Sequence, residues 1–308
     1  MLPRDLGNGS RTSESTYPVV VGVDGSSTAI RAARWAAAVA ERFRASLMIV
    51  HAKSPLRKNL WGNIANVRAP QMNAERESSE AILAAAELAV REHFNDLSIA
   101  TLRVDSHPDE VLVELSRCAR LVVLGSDEVA LGAAILVGST TIAVAIHSVC
   151  PVVAWRGGAE ALTSQPVVLG IDHDHDNRVA ATATFELAHR LGLGIIAVHC
   201  WSTRRPVGDV TLPIMIDWNQ LENDERQHLS DSLAPLINLY PDVEVTQVVD
   251  PDKPSRALLR SAQGAQLIVV GSRGRGRLAG TLLGSTGLNL LHHSAVPVMI
   301  CRSAEATE

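Results

Sequence analysis

An internal repeat constrains this chain of 308 residues more than any other feature of its sequence. Residues 125–156 and 271–302 align without a gap at a shift of 146 positions. The matched pairs include Gly125 with Gly271, Gly138 with Gly284, Ser139 with Ser285, Thr140 with Thr286 and Arg156 with Arg302. Because the shift approaches the length of a small domain, we expect two copies of one domain rather than a single large fold.

The match extends to the start of each half. Residues 18–24 read PVVVGVD and residues 166–172 read PVVLGID, and a second apolar run closes on His51 in one half and on His199 in the other. The predicted boundaries are a flexible tail at 1–17, a first domain at 18–157, a linker at 158–165, a second domain at 166–303 and a tail at 304–308. The linker is short and polar, which suits a connection between two folded units.

Apolar runs alternate with helical patterns in both halves. In the first half, strands are predicted at 19–23, 47–51, 99–104, 121–124 and 152–155, and helices at 28–44, 73–94, 108–118 and from about 139. In the second half, strands are predicted at 167–171, 194–199, 243–249, 267–270 and 298–301, and helices at 178–191, 217–239, 254–262 and after a glycine-rich loop. The order predicts two Rossmann-like α/β domains, each with a five-stranded parallel sheet and helices on both faces.

The composition excludes several classes of function. A net charge of −5 argues against a dedicated nucleic-acid binder or a basic membrane-surface protein, and 3% aromatic residues argue against base-stacking platforms. Residues 129–155 carry no charged side chain and are long enough to span a bilayer. The second copy of this run contains Arg273, Arg275 and Arg277, so we reject a membrane span for both copies.

The four cysteines lie far apart and form no CxxC pair, which excludes zinc-finger and thioredoxin-like sites. They are too few for a disulfide scaffold and fit a reducing cytoplasm. We predict buried structural thiols at all four positions: Cys118, Cys150, Cys200 and Cys301.

The loop after the fourth strand of the second half carries the clearest chemical signal. Residues 271–286 follow the pattern G-x2-G-x9-G-S-T. Glycine at 271 and 274 lets backbone N–H groups approach phosphate oxygens, and Gly284 precedes a helix whose free N–H groups favour an anion. The hydroxyl donors of Ser285 and Thr286 and the charges of Arg273, Arg275 and Arg277 complete a predicted phosphate site.

This spacing, the strand-end Asp172, the domain length and the closing Pro-Val strand together resemble the universal stress protein family, in its ATP-binding subgroup, over residues 18–303. The fold that the resemblance implies is adenine nucleotide α-hydrolase-like. It also implies that Asp172 holds adenine and ribose, that Cys200 lines the adenine slot through its backbone, and that Gly271, Gly274, Gly284 and Ser285 cradle ribose and phosphates. A divalent cation, Mg²⁺, is expected beside the phosphates. The alternative is structural: Asp172 caps a helix, Gly271 turns the chain and the arginines are solvated.

The first half departs from the pattern at its loop. Glu128 stands where Gly274 stands, and the three arginines become Asp127, Val129 and Leu131. A carboxylate repels phosphate, and its side chain blocks close approach of the backbone. The weaker candidate site that remains consists of Asp24, Ala52, Gly125, Gly138, Ser139 and Thr140. We predict that it binds ATP weakly or not at all; the alternative is that Glu128 turns outward or helps to bind a cation.

Two further stretches of the second half invite functional readings. The run His-Asp-His-Asp at 173–176 suggests a metal, but neighbouring residues on an extended loop point in different directions. A polar loop capping the helix at Asn177, or a histidine flanking the phosphates, is preferred, and no metal ligand is assigned. The irregular segment 201–218 is either a lid over the site or an interaction surface.

No catalytic carboxylate pair, nucleophile elbow or Ser-His-Asp order stands out in the sequence. We therefore favour an ATP-binding stress sensor or regulator. The alternatives are a slow ATP hydrolase and a structural pairing module that needs no nucleotide. The resemblance also implies pairing through the last strand of each domain, which in a tandem chain gives an internal pseudo-dimer, and it leaves a homodimer open.

Overall fold

The computed structural model describes residues 17–54, 65–126, 129–131, 134–157, 161–172, 177–201, 217–272 and 283–302. The first domain comprises β1 (Val19–Gly22), α1 (Ser27–Arg42), β2 (Leu47–Ala52), α2 (Ala65–Arg91), β3 (Ile99–Val104), α3 (Pro108–Leu115), a 3₁₀ turn (Ser116–Cys118), β4 (Leu121–Gly125), β5 (Val129–Leu131), β6 (Ala134–Leu136), α4 (Ser139–His147) and β7 (Val152–Trp155). The second comprises β8 (Val167–Ile171), α5 (Asn177–Leu191), β9 (Ile195–Cys200), α6 (Trp218–Leu239), β10 (Val245–Asp250), α7 (Pro254–Ser261), β11 (Leu267–Gly271), α8 (Ser285–His293) and β12 (Val298–Cys301).

The predicted α/β class is confirmed, because strands and helices alternate in both halves and, within each half, the strands of the main sheet run parallel. Ten strands form one sheet in the order β10-β9-β8-β11-β12-β7-β4-β1-β2-β3. At its centre β12 and β7 pair antiparallel, with Met299 opposite Val153. The two repeats therefore share a continuous sheet, and the carboxyl ends of their strands lie along opposite rims.

Side chains that alternate along the strands enter two cores, one on each face of the sheet. Val19 and Val21 face one core, while Val20 faces the other. The first core packs the sheet against α1, α2, α5 and α6, and the second packs it against α3, α4, α7 and α8. Burying one such valine or leucine fully contributes about 1.5–3 kcal/mol, so the continuous β-branched strands account for the two-sided burial.

Three local predictions need correction. α2 begins at Ala65 and not at residue 73, because the helix continues through Pro70 at the cost of one backbone hydrogen bond. The helix predicted at 108–118 ends at Leu115 and tightens into the 3₁₀ turn. The loop between β4 and α4 contains a two-stranded antiparallel hairpin, β5–β6, which its glycine-rich sequence did not indicate.

The cysteines divide into two groups. Cys150, Cys200 and Cys301 are buried, as predicted, but Cys118 is exposed, so that prediction was wrong for it. Cys118 lies in the 3₁₀ turn before β4, where the tighter turn points its side chain outward. Burial raises the pKa of the Cys150 thiol to about 12 and also raises the pKa of the Cys301 thiol. Within the described part of the chain, no helix is long and apolar enough to cross a membrane.

Candidate functional site

The strand order of the second domain reverses between β8 and β11. The chain runs from β8 to its neighbour β9 on one side and later returns to β11 on the other. Leu169 pairs with Val269, so the carboxyl ends of β8 and β11 lie side by side. Asp172 directly follows β8, and Ser272 directly follows β11. Crevices at such reversals are where open α/β sheets hold their ligands.

Both ends of the predicted phosphate loop meet at this crevice. The N–H of Gly284 donates to the carbonyl of Ser272 over 2.9 Å, and the N–H of Ser272 donates to the carbonyl of Cys301 over 2.7 Å. The loop is thus closed at its base, and its closing residue lies at the start of α8. Arg273, Gly274, Arg275 and Arg277 fall outside the described residues, so their predicted roles remain predictions.

The first turn of α8 presents backbone donors. Gly284 is its N-cap, with φ −59° and ψ 151°, and contributes no capping side chain. The early N–H groups of a helix have no partner within the helix itself, and the helix dipole gives them partial positive charge. Ser285 is exposed and Thr286 is half-buried, so the predicted hydroxyls lie at the open end of this helix.

A buried histidine joins the two strands on the nucleoside side of the crevice. His199 Nδ1 donates to the carbonyl of Ile171 over 3.0 Å, and Nε2 lies 3.2 Å from Glu225 Oε2 on α6. The His199 side chain is 1% exposed and that of Glu225 is 17% exposed. Asp172 follows Ile171 and Cys200 follows His199, so this contact fixes the spacing of both predicted adenine-side residues.

The hydrogen-bond pattern also sets how many protons the pair holds. A carbonyl only accepts, so Nδ1 of His199 carries a proton. The contact between Nε2 and Glu225 then needs one more, held either by an imidazolium facing a carboxylate or by a carboxylic acid facing neutral imidazole. Sequence reasoning used His199 only as a repeat marker and missed Glu225. No motif in the sequence marks Glu225, because its partner lies on a different element 26 residues away.

The first domain keeps the same backbone frame with different contacts. Val21 pairs with Val123, so β1 and β4 also end side by side, and His51 Nδ1 donates to the carbonyl of Val23 over 2.7 Å. The carboxylate of Asp24 accepts the N–H of Ser26 over 2.9 Å, forming a local turn before α1. Asp24 therefore stabilises the turn that leads into α1, whose N-cap is Ser26.

Gly125 and Gly138 of the first domain differ in the space around their Cα atoms. A Cβ at Gly125 would lie 2.9 Å from the backbone nitrogen of Ala29, so α1 packs directly against the end of β4. A Cβ at Gly138 would meet nothing within 4 Å, although Gly138 is the N-cap of α4 with nearly the same φ and ψ as Gly284. Ser139 is exposed, while Thr140 and Ala52 are half-buried. Glu128 lies outside the described residues.

The predicted polar loop at 173–176 and the irregular segment 201–218 lie largely outside the described residues. Among the described residues, no group of three or more His, Cys, Asp or Glu side chains could hold a metal ion, and residues 173–176 are not among them. Residues 202–216 also lie outside the described part. Of their flanks, Trp201 is buried, Trp218 is 43% exposed, and their ring centroids lie 6.2 Å apart.

Comparison with known proteins gives the family. A family model described as the universal stress protein family matches residues 17–156 and again residues 163–302. The chain belongs to the universal stress protein family. Both halves of this universal stress protein match the family model, including the first, whose loop departs from the glycine pattern.

Curated relatives of the same tandem length support this assignment. A universal stress protein of Mycolicibacterium smegmatis is 32% identical over 295 residues, covering 94% of this chain and 98% of the relative. One from Mycobacterium tuberculosis is 34% identical over 301 residues, covering 94% and 98%. The crystal structure of a universal stress protein from Archaeoglobus fulgidus has a TM-score of 0.67 at 17% identity, covering 93% of this chain and 98% of that one. At that identity the structural likeness shows the fold.

Proposed function

We propose that this universal stress protein binds ATP in its second domain and acts as a sensor or regulator whose conformation or partner binding depends on the nucleotide. The observation that carries the proposal is the closed base of the loop. The Gly284–Ser272 hydrogen bond brings the start of α8 to the reversal of the strand order. Asp172 and Cys200 end the two strands on the other side of that crevice.

The phosphates are assigned to the α8 side of the crevice. Free N–H groups at residues 285–287 and the hydroxyls of Ser285 and Thr286 supply donors, and the helix dipole adds about 0.3–1 kcal/mol for an exposed anion. Gly271, Gly274, Arg273 and Arg275 are proposed to complete this half of the site. Mg²⁺ takes oxygen ligands and usually keeps several waters, so it would be held mainly through the phosphates.

The nucleoside is assigned to the side of β8 and β9. The carboxylate of Asp172 suits a ribose hydroxyl or an adenine amino group, both of which donate hydrogen bonds. Backbone groups at Cys200 suit the adenine edge, and the His199–Glu225 contact holds this backbone in place. Donors for anionic oxygens on one side and acceptors for neutral donors on the other match the two ends of a nucleotide.

We propose that the first domain binds ATP weakly or not at all. Two of its candidate residues have a structural role. Asp24 accepts a hydrogen bond in the turn before α1, and Gly125 leaves room for α1 to pack against the end of β4. Their presence therefore does not require a ligand. The antiparallel β7–β12 pairing favours a second role for this domain, that of a partner in an internal pseudo-dimer.

The proposal is tested by the identity and molar amount of nucleotide that denatured protein releases. A second test is an ATP titration of folded protein from which nucleotide has been removed. We expect about one adenine nucleotide per chain and a loss of binding in Gly274→Glu, which copies the first-domain loop. Ser285→Ala should weaken ATP binding about 10- to 150-fold, the loss of one hydrogen bond to a charged group, while its matched control Ser139→Ala leaves the affinity unchanged.

Each other outcome points to a named alternative. Two nucleotides per chain would contradict the proposed asymmetry. Steady phosphate release over many turnovers would favour the slow ATP hydrolase. No bound nucleotide and no uptake of ATP would favour the structural pairing module.

A further inference from the structure

Arg156 is a buried cation that joins the two domains. It follows β7, its side chain is among the largest that the protein buries completely, and its residue is 1% exposed. Its Nη1 donates to the carbonyl of Ser294 over 3.1 Å, and its Nη2 donates to the hydroxyl of Ser126 over 3.1 Å. Desolvating a guanidinium is costly unless hydrogen bonds compensate, so these contacts are needed for its burial.

Both partners of Arg156 lie in segments connected to the predicted nucleotide loops. Ser126 is the first residue after β4, where the degenerate loop of the first domain begins. Ser294 is the C-cap of α8, and its own N–H donates to Leu290 over 2.9 Å. A positive charge is favourable beside the last carbonyl groups of a helix. The first domain therefore supplies a cationic cap to the helix that carries Gly284, Ser285 and Thr286 at its other end.

A second contact reaches the same helix. β6, from the hairpin inside the degenerate loop, lies against α8 of the second domain. On its other sides α8 packs on α7 and β12 of its own domain. α8 has nine residues, so its two ends are about 13 Å apart, and a helix this short moves as a rigid rod.

The turn after Arg156 is built to allow this approach. Gly157 has φ +96°, a value that side-chain-bearing residues rarely adopt. A Cβ at this position would lie 3.0 Å from the carbonyl oxygen of Ala295, the residue after Ser294. The close approach of the segment after β7 to the segment after α8 thus depends on a glycine directly beside the bridging arginine.

We infer that the degenerate first domain acts in cis as a brace for the nucleotide site of the second. Arg156 holds the C-terminal end of α8, β6 of the hairpin lies against the same helix, and together they set the position of Gly284, Ser285 and Thr286 at its N-terminal end. Arg156 is a positioning residue and touches no nucleotide. The inference rests on the proposed ATP site for its functional consequence, while the brace itself is a property of the protein without nucleotide.

Arg120 provides the matched control. It also crosses between domains, since its Nη1 lies 2.7 Å from Glu186 Oε1 on α5, and its guanidinium lies 4.8 Å from the centre of the Phe43 ring. Among the described residues, its contacts include none with α8. We expect ATP affinity, measured by calorimetry on full-length protein, to fall about 5- to 150-fold in Arg156→Met and less than about 2-fold in Arg120→Met.

Hydrogen exchange tests the brace without nucleotide. Amides at the end of α8, including Leu290 and Ser294, should exchange faster in Arg156→Met than in wild type or Arg120→Met. Ser126→Ala removes a single acceptor and should shift both readouts in the same direction by less. It replaces Arg156→Met as the test if that variant does not fold.

The outcomes separate the two proposals. If wild type binds ATP and Arg156→Met binds it equally well, the brace is wrong and the ATP site stands. If both arginine variants weaken ATP binding equally, general domain packing explains the effect and the brace is wrong. If wild type binds no nucleotide, the ATP site fails, and the exchange at α8 alone supports or overturns the brace.

Discussion

The carboxyl edges of the two domains share one backbone frame and differ in the side chains that reach it. In the second domain Glu225 of α6 contacts the histidine that joins the first two strands, whereas α2, which packs on β2 of the first domain, buries the neutral side chain of Ser79. The histidine bond to the preceding strand is present in both, through His199 and His51. The frame is thus common to the fold, and the charged residue beside it belongs to one copy.

This comparison indicates which features follow from folding and which from a ligand. The histidine bond and the close packing at Gly125 are present where the phosphate loop has degenerated, so folding alone explains them. The contact of Glu225 with His199 and the arginines of the second loop have no equivalent among the described contacts and the sequence of the first copy, and folding of the common frame does not require them. Such unshared polar residues are where we expect nucleotide binding to show its requirements.

The largest effect that sharpens the comparison is expected from Glu225→Ala. It leaves Nε2 of the buried His199 without this partner, and should lower the free energy of unfolding by about 2–3 kcal/mol in urea titrations. Ser79→Ala is the matched change in the first domain and should cost less than about 1 kcal/mol, because it removes a neutral hydroxyl. Equal losses would show that the two histidine sites are equivalent and would break the comparison.

A smaller effect is expected at the glycines of the first domain. Gly125→Ala places a methyl group against the backbone of α1 and should cost about 1–3 kcal/mol of unfolding free energy, measured by thermal and urea unfolding. ATP binding in the second domain should persist. Gly138→Ser enters open space at a helix N-cap, and should change stability by less than about 0.5 kcal/mol. A nucleotide lost from Gly138→Ser protein would instead reveal a working site in the first domain.

The smallest effect concerns the thiols and appears only at alkaline pH. The pKa of Cys150 in the folded protein, about 12, lies above that of an unfolded thiol, so the stability from its protonated form is complete below about pH 8.5 and is lost as the pH rises toward 12. We expect unfolding free energy to decline above pH 9 and to decline less steeply in Cys150→Ala. At neutral pH a thiol reagent should modify the exposed Cys118 in the folded protein and reach Cys150 and Cys301 only on unfolding.

The repeat and the alternation of short β-branched runs with helical patterns predicted most of the fold. Strands β8 and β12 have the predicted ends, and α1 begins one residue before its predicted start, after Ser26 accepts the N–H of Ala29 over 3.1 Å. These features depend on local sequence. The sequence did not predict the β5–β6 hairpin, because glycine in that loop is compatible both with a turn and with a phosphate-binding loop.

Of the candidate site, the sequence placed the strand ends and the start of α8 but not the contacts that hold them. Glu225 lies 26 residues from His199, on a helix whose register relative to β9 only the packed structure defines. Arg156 meets Ser294 across 138 residues and a domain boundary. Long-range contacts of polar side chains leave no periodic pattern, so sequence inspection did not find either contact.

The β7–β12 ladder has a consequence for the connection between the halves. Hydrogen bonds, an ion pair and a shared core already hold the two domains together, so the short link between Gly157 and Thr163 is not needed to define their arrangement. Its physical effect is to raise the local concentration of each half around the other. In the fused chain, one copy can lose its loop chemistry while remaining bound to the copy that keeps it.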